Sequence, residues 1–234
     1  MSFKESYFHI LSQNGLEKYA TDTLAERFEA LTERLLDYNA KVNLTAITDP
    51  NEIILRHYAD CLMAADAFPQ NAKVLDVGCG GGFPCLPLAI ARPDLTIIGL
   101  DSTEKKLRFV ESAAKEMGLN LTTVAGRAEE LSHGEMRQSF DVVTARAVAA
   151  LNVLAEWCLP FVKVNGQMIA LKGSSGAEEL AAAKKGIATL GGGKPKLTEY
   201  MLADMGRSLI VIQKVAPTPV QYPRPNGKIM KKPL

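Results

Sequence analysis

The most constraining feature of this chain is a junction near residue 77. The short apolar run Val74-Leu75-Asp76-Val77 gives way to Gly78-Cys79-Gly80-Gly81-Gly82, and an apolar helical stretch, 86–91, follows. A strand that ends in glycines and restarts as a helix offers backbone N–H groups at the carboxyl edge of an α/β sheet. Gly78, Gly80 and Gly82 fall at every second position, where the missing β-carbon lets the chain turn sharply or meet a ligand. The spacing argues against a dinucleotide. The fingerprint G-x-G-x-x-G needs a last glycine at Phe83 if it starts at Gly78, and at Cys85 if it starts at Gly80, and both fail.

Downstream the chain alternates. Apolar runs at 96–100, 121–124, 141–144 and 167–171 read as strands, and 103–117 and roughly 148–163 read as helices between them. Such alternation predicts a mostly parallel sheet with helices on both faces. Residues 177–190 read as a further helix. After Gly191-Gly192-Gly193, strands near 197–202 and 208–214 are joined by a connection short enough to require an antiparallel last strand. Upstream, Leu24, Phe28, Leu31, Leu35, Tyr38 and Val42 recur at helical spacing, with Thr23 and Glu26 as a capping box. A second helical stretch follows Pro50, with Ile54, Tyr58, Cys61 and Leu62 on one face. These helices form either a cap over the core or a lid over a ligand. The predicted division is an N-terminal helical extension over 1–70, an α/β core over 71–214 and a basic, proline-rich tail over 215–234, whose prolines keep it out of a sheet interior.

Composition excludes several classes. Of 234 residues 47% are hydrophobic, enough for a real core. The opening MSFKESYFHI is no signal peptide, and no run approaches the roughly 18 apolar residues that a membrane helix needs. The expectation is a soluble cytoplasmic monomer without membrane contact. The four cysteines form no C-x-x-C pair and the three histidines are scattered, so neither a disulfide framework nor a metal site is expected. The net charge of +1 hides an asymmetry: 6 basic against 11 acidic groups in 1–70, 17 against 15 in 71–214, and 4 against none in 215–234. The whole chain is no generic polyanion binder, although the tail can touch phosphate or simply solubilise the protein.

Three strand tips converge on one ligand chemistry. The second strand ends at Asp101, whose carboxylate can accept from both hydroxyls of a ribose, or cap the helix that follows. After the third comes Gly126-Arg127-Ala128-Glu129, placed to lie over an adenine; Glu129 can otherwise be a solvated charge at a helix start. With the glycine loop, these groups fit an adenosyl ligand, and D-x-G-x-G-x-G resembles the loop of class I methyltransferases, which bind S-adenosylmethionine. After the fourth strand, Thr144-Ala145-Arg146-Ala147-Val148 contains no Asn/Asp-Pro-Pro-aromatic motif and no Pro-Cys, which disfavours attack by an exocyclic amine or a pyrimidine carbon. Cys158 lies in an apolar helix end and reads as core. Arg146 can hold phosphate or a guanine edge, or sit in a structural ion pair. A guanine N7 carries a free lone pair and needs no base, which suits a site without one.

A wider set of segments carries a more specific resemblance: Asn43-Leu44-Thr45-Ala46-Ile47, Arg56-His57-Tyr58-Ala59-Asp60, Asp76-Val77-Gly78, Phe83-Pro84, Leu100-Asp101-Ser102, Lys105-Lys106, Gly126-Arg127-Ala128-Glu129, Ala145-Arg146-Ala147, Leu171-Lys172-Gly173 and Tyr222-Pro223-Arg224. From about residue 39 to the tail, the chain resembles the RsmG (GidB) family of bacterial 16S ribosomal RNA guanine-N7 methyltransferases. The resemblance implies that Gly78, Gly80, Phe83, Ala128, Glu129 and Arg146 contact S-adenosylmethionine, with Asp101 near its ribose. It implies a catalytic role for Arg146 and, as partner, 16S rRNA or the small ribosomal subunit. It further suggests Arg56, His57, Lys172 and Arg224 as RNA-facing groups. Cys85 stands where the family usually has glycine, which puts the tightness of the loop-to-helix turn in question. A methyltransferase for small molecules or protein, and a non-catalytic ribosome-assembly factor, are the competing readings.

Overall fold

A computed structural model describes residues 1–234. The alternating pattern folds into one seven-stranded sheet. β1 (Lys73–Val77), β2 (Thr96–Asp101), β3 (Leu121–Ala125), β4 (Phe140–Arg146), β5 (Val162–Gly173), β6 (Lys196–Leu202) and β7 (Met205–Gln213) lie in the order β3-β2-β1-β4-β5-β7-β6. The first five run parallel, and β7 pairs antiparallel with both β5 and β6. The strand order reverses between β1 and β4. Such a switch point opens a crevice at the carboxyl ends of the strands, where open α/β sheets bind ligands.

Successive residues on a strand face opposite sides, and the core divides accordingly. Val74, Ile97 and Val142 point into one apolar layer, and Leu75, Val143 and Ala145 into the other. The first layer is covered by α5 (Cys85–Ala91), α6 (Glu104–Glu116) and the N-terminal helices; the second is covered by α8 (Leu151–Cys158) and α9 (Gly176–Thr189). The short α7 (Ala128–Leu131) follows β3.

The N-terminal residues share the first layer with the sheet. α1 (Phe3–Gln13) starts with a complete capping box between Ser2 and Glu5 and buries Tyr7 and Leu11. α2 (Asp22–Asn39) buries Phe28, Leu31 and Leu35 as its spacing predicts. Its cap is Thr21, whose side chain accepts from Leu24 N, not the expected Thr23; the capping-box pattern at Thr23 and Glu26 begins two residues too late. The helix predicted after Pro50 forms as α3 (Pro50–Ile53), one turn of π-helix (Ile54–Ala59) and α4 (Asp60–Leu62). A single π turn inside a helix frequently marks a functional position, and here it carries Arg56 and His57. Aromatic rings link α1 to the glycine loop: Tyr7 to Phe28 at 5.5 Å, Phe28 to Tyr58 at 4.6 Å and Tyr58 to Phe83 at 6.4 Å between centroids. No helix is long and apolar enough to cross a membrane.

The tail is ordered against the core, not a free solubilising arm. It ends in α10 (Asn226–Lys231), whose Ile229 is fully buried.

A candidate active site at the carboxyl edge of the sheet

Backbone geometry sets the floor of the site. Gly78 has φ +73°, and a β-carbon there would stand 2.8 Å from Val148 Cγ2. Gly82 has φ +93°, and its β-carbon would stand 2.3 Å from Leu86 Cδ1. Both positions therefore need glycine, for conformation and for space. The loop is tied to the neighbouring strand: Gly78 N and Cys79 N both donate to Leu100 O, at 2.7 and 3.0 Å. Cys85 does not loosen the turn to α5. Its N–H donates to Asp76 Oδ2 at 3.0 Å, and its side chain is fully buried. Gly99 on β2 makes room for the neighbouring Cys79, whose Sγ would stand 3.1 Å from a β-carbon there, while Cys85 Sγ would stand at an ordinary 3.6 Å. Burial pushes the Asp76 carboxyl up to about 7, and its Oδ1 has no partner.

Two cavities meet over this loop, sharing Gly78, Asp101 and Val148. They measure about 200 and 320 Å³, together within the ~300–1,000 Å³ usual for small-molecule sites. The first is lined by the tips of β1, β2 and β3, including Asp101, Ser102, Ala128 and Glu129. Asp101 accepts from Gly80 N at 2.9 Å through Oδ2 and from Thr103 N at 2.8 Å through Oδ1. A carboxylate offers about four acceptor positions, so this capping leaves lone pairs directed at the cavity. Glu129 is buried and lines the cavity, with the Arg127 guanidinium 3.9 Å away, so the alternative of a solvated charge does not hold.

The second cavity is lined by Thr45, His57, Gly80, Phe83, Lys106 and Arg146, among others. Arg146 ends β4 and is almost wholly enclosed. Its Nη1 donates to Asp60 Oδ2 at 2.9 Å and to Arg56 O at 3.1 Å. Its Nη2 donates to His57 Nδ1 at 3.2 Å, and its carbon Cζ lies 5.5 Å from the centroid of the Phe83 ring. The buried Asp60 also accepts from Arg207 Nε at 2.9 Å. One carboxylate thus faces two guanidiniums and leaves a net positive charge. Burial, then the charge of Arg146, hold the His57 ring down to about 4, so it is neutral at physiological pH. With Nδ1 accepting from Arg146, the ring proton sits on Nε2 and donates to Thr45 Oγ1 at 2.9 Å. The imidazole stacks on Phe83 at 4.3 Å between centroids. The Nε of Arg146 is buried without a partner.

The expected site residues therefore fall into two groups. Gly78, Gly80, Phe83, Asp101, Ala128, Glu129 and Arg146 all line one cavity or both. The expected RNA-facing set does not come together. His57 is buried in the cavity wall. Lys172 is buried, pairs with Glu179 at 2.6 Å and donates to Ala149 O. Arg224 is clamped on the fully buried Glu156. Only Arg56 is half-exposed, in an ion pair with Glu52. Sequence reasoning missed Asp60 as a holder of Arg146, and Arg207 as the second partner of Asp60. Arg207 carried no local signal, because it arrives on β7 from 147 residues away.

Comparison with known proteins bears on this geometry. The family described as rRNA small subunit methyltransferase G matches residues 24–205. Ribosomal RNA small subunit methyltransferase G of Brevibacillus brevis is 42% identical over 99% of this chain and 99% of its own. The protein of the same name from Moorella thermoacetica is 47% identical over 88% of each. Among solved structures, an O-methyltransferase from Bacillus cereus in complex with SAH superposes with a TM-score of 0.58 at 17% identity, over 88% of this chain and 100% of that one. Cofactor-bound Rv0187 from MTB gives 0.57 at 17% identity, over 84% and 93%. At that identity the structures speak for the fold alone.

Proposed function

The chain belongs to the rRNA small subunit methyltransferase G family, and from that membership we propose that it is an S-adenosylmethionine-dependent methyltransferase whose acceptor is N7 of a guanine in 16S rRNA. The observation that carries the reading is the pair of joined cavities at the switch point, one suited to an adenosyl group and the other to an acceptor base. The residues present fit the cofactor. The glycine cradle would be filled by any β-carbon at Gly78, and Asp101 keeps acceptor capacity beside it.

S-adenosylmethionine supplies a methyl group on a cationic sulfonium when bound. Gly78, Gly80, Ala128 and Glu129 would hold its adenosyl part, with Asp101 on the ribose; Phe83 and Arg146 would border its methyl end. The acceptor needs orientation more than proton transfer, because guanine N7 presents a lone pair in its ground state. That chemistry fits a site whose one imidazole is neutral and already committed at both nitrogens. Arg146 must leave N7 free, so its contact with the base goes to O6, through a guanidinium N–H that no protein group uses, the second on Nη2 or that on Nε. The rigid grip of Asp60, His57 and the Arg56 carbonyl points that donor.

In this reading residues 71–214 are the cofactor-binding core, 1–70 its helical wall and 215–234 a docked tail. Every assigned residue comes from one chain, so a monomer suffices. The test is incubation with methyl-labelled cofactor and small subunits from cells lacking the protein. Label recovered as 7-methylguanine in 16S rRNA supports the proposal. Label only in protein or small molecules, or cofactor binding without transfer, refutes it.

A further inference from the structure

The first cavity has a wall that the strand tips do not supply. Trp157, on the last turn of α8, and Asn226, the first residue of α10, both line it. The indole Nε1–H and Asn226 Oδ1 are buried, and neither has a partner. A buried polar atom left unpaired has given up water for nothing, and a ligand that pairs with it recovers that loss. Two such atoms on one cavity, a donor and an acceptor, describe the edge of a ligand that carries both complements. An anion would suit the indole N–H but would meet the Asn226 oxygen as a repulsive neighbour. Adenine offers an exocyclic amine donor and ring-nitrogen acceptors on one rim, the pattern that an asparagine amide matches.

Asn226 is also held in place. Glu156, fully buried, accepts from Arg224 N, Nε and Nη2 at 2.8, 2.9 and 2.6 Å. Arg137 donates to Thr218 O at 2.8 Å and Tyr222 O at 2.9 Å. His133 Nε2 lies 3.0 Å from Pro223 O, and Ile229 is fully buried. These anchors flank Asn226 on both sides in sequence.

We propose that Asn226 and Trp157 determine specificity for adenine, Asn226 Oδ1 accepting from the exocyclic amine and Trp157 Nε1 donating to a ring nitrogen, so that the C-terminal segment completes the cofactor site. This rests on the reading of the first cavity as the adenosyl site. The acidic N-terminal part and the basic tail then have different tasks: the tail's lysines face outward while its asparagine faces in.

The test is calorimetry on the full chain with S-adenosylhomocysteine and with its 6-deamino analogue, which lacks only the amine. Wild type binds the adenine ligand about tenfold more tightly than the analogue, the equivalent of one hydrogen bond. Asn226→Ala loses about tenfold for the adenine ligand but less than twofold for the analogue. Trp157→Phe, which keeps an aromatic ring, loses about tenfold for both ligands, because both retain the ring nitrogens. Equal losses for the two ligands in Asn226→Ala, or no loss, overturn the assignment of Asn226; unchanged affinity in Trp157→Phe overturns that of Trp157. If wild type fails to bind S-adenosylhomocysteine at all, the functional reading itself falls.

Discussion

Arg146 shows how much of a side chain's role depends on what stands behind it. Three protein acceptors take three of its five N–H groups, and one N–H of Nη2 and that of Nε are left without a protein partner. A lysine has no second nitrogen with which to reproduce that division of labour. Arg146→Lys is therefore expected to lower single-turnover methyl transfer by about 10²–10³-fold, the usual loss for one oriented donor, with S-adenosylhomocysteine affinity largely retained. A loss confined to cofactor affinity would remove Arg146 from acceptor positioning. Asp101→Ala is expected to weaken S-adenosylhomocysteine by about 1–3 kcal/mol, because it strips hydrogen-bonding capacity from a part-buried site; calorimetry showing wild-type affinity would take Asp101 off the ribose. At this scale the glycines, Asp101 and Arg146 were legible because strand tips are countable from sequence. The partners of Lys172 and Arg224 were not legible, for the opposite reason. A basic residue advertises its charge but not its partner, and Glu156 lies 68 positions from Arg224.

At the scale of elements, all seven strands were legible, since apolar runs bounded by glycine or charge need no tertiary information, but β5 begins at Val162, inside the end of the helix predicted over 148–163 and five residues before the predicted strand. The pairing of β7 between β5 and β6 follows from the hairpin only in part; the register Leu171↔Leu209 is a tertiary fact. Three helical details escaped. α1 carries its capping box in Ser2 and Glu5 without an apolar run to announce it, the pattern of a threonine with a glutamate three residues on fits Thr23 and not the true cap Thr21, and α10 lies in a tail whose prolines point away from regular structure. What no periodicity reveals is that α1 and α2 reach the glycine loop through Tyr7, Phe28, Tyr58 and Phe83. Phe28 sits mid-chain in that run with no exposure. Phe28→Ala is expected to destabilise the fold by about 3–5 kcal/mol in chemical denaturation, combining lost burial with a residual cavity. A cost below about 1 kcal/mol, within the range of surface changes, would mean that the N-terminal helices are a loosely attached lid and not a wall of the core.

Over the whole molecule, the sheet's far end and the tail are joined at one buried amine. Lys214, just past β7, donates to Leu159 O at 2.7 Å and Leu190 O at 3.0 Å, and also to Thr218 Oγ1 at the start of the tail. Those acceptors lie after α8, after α9 and in the tail, so a single ammonium fastens three parts of the chain that surround the second apolar layer. Burial, reinforced by the nearby Arg137 charge, lowers this amine to about 7 from an ordinary value of 10.5. A lowered lysine means that the unfolded chain binds more protons than the native one between those two values. Stability must then rise with pH across that window, by at most about 1.4 kcal/mol per pH unit. His57, held down to about 4, acts in the same sense only below its ordinary 6.5, and Asp76, raised to about 7, acts in the opposite sense only below that value. The four buried thiols, all raised from an ordinary 9.0, begin to oppose the trend above about pH 8. The interval between pH 7 and pH 8 therefore isolates Lys214 best. Urea midpoints should climb across it for the wild type and stay level for Lys214→Met, which keeps the bulk without the titrating group. Parallel slopes in the two proteins would show that the amine is charged throughout and that the tail is fastened by an ordinary ammonium.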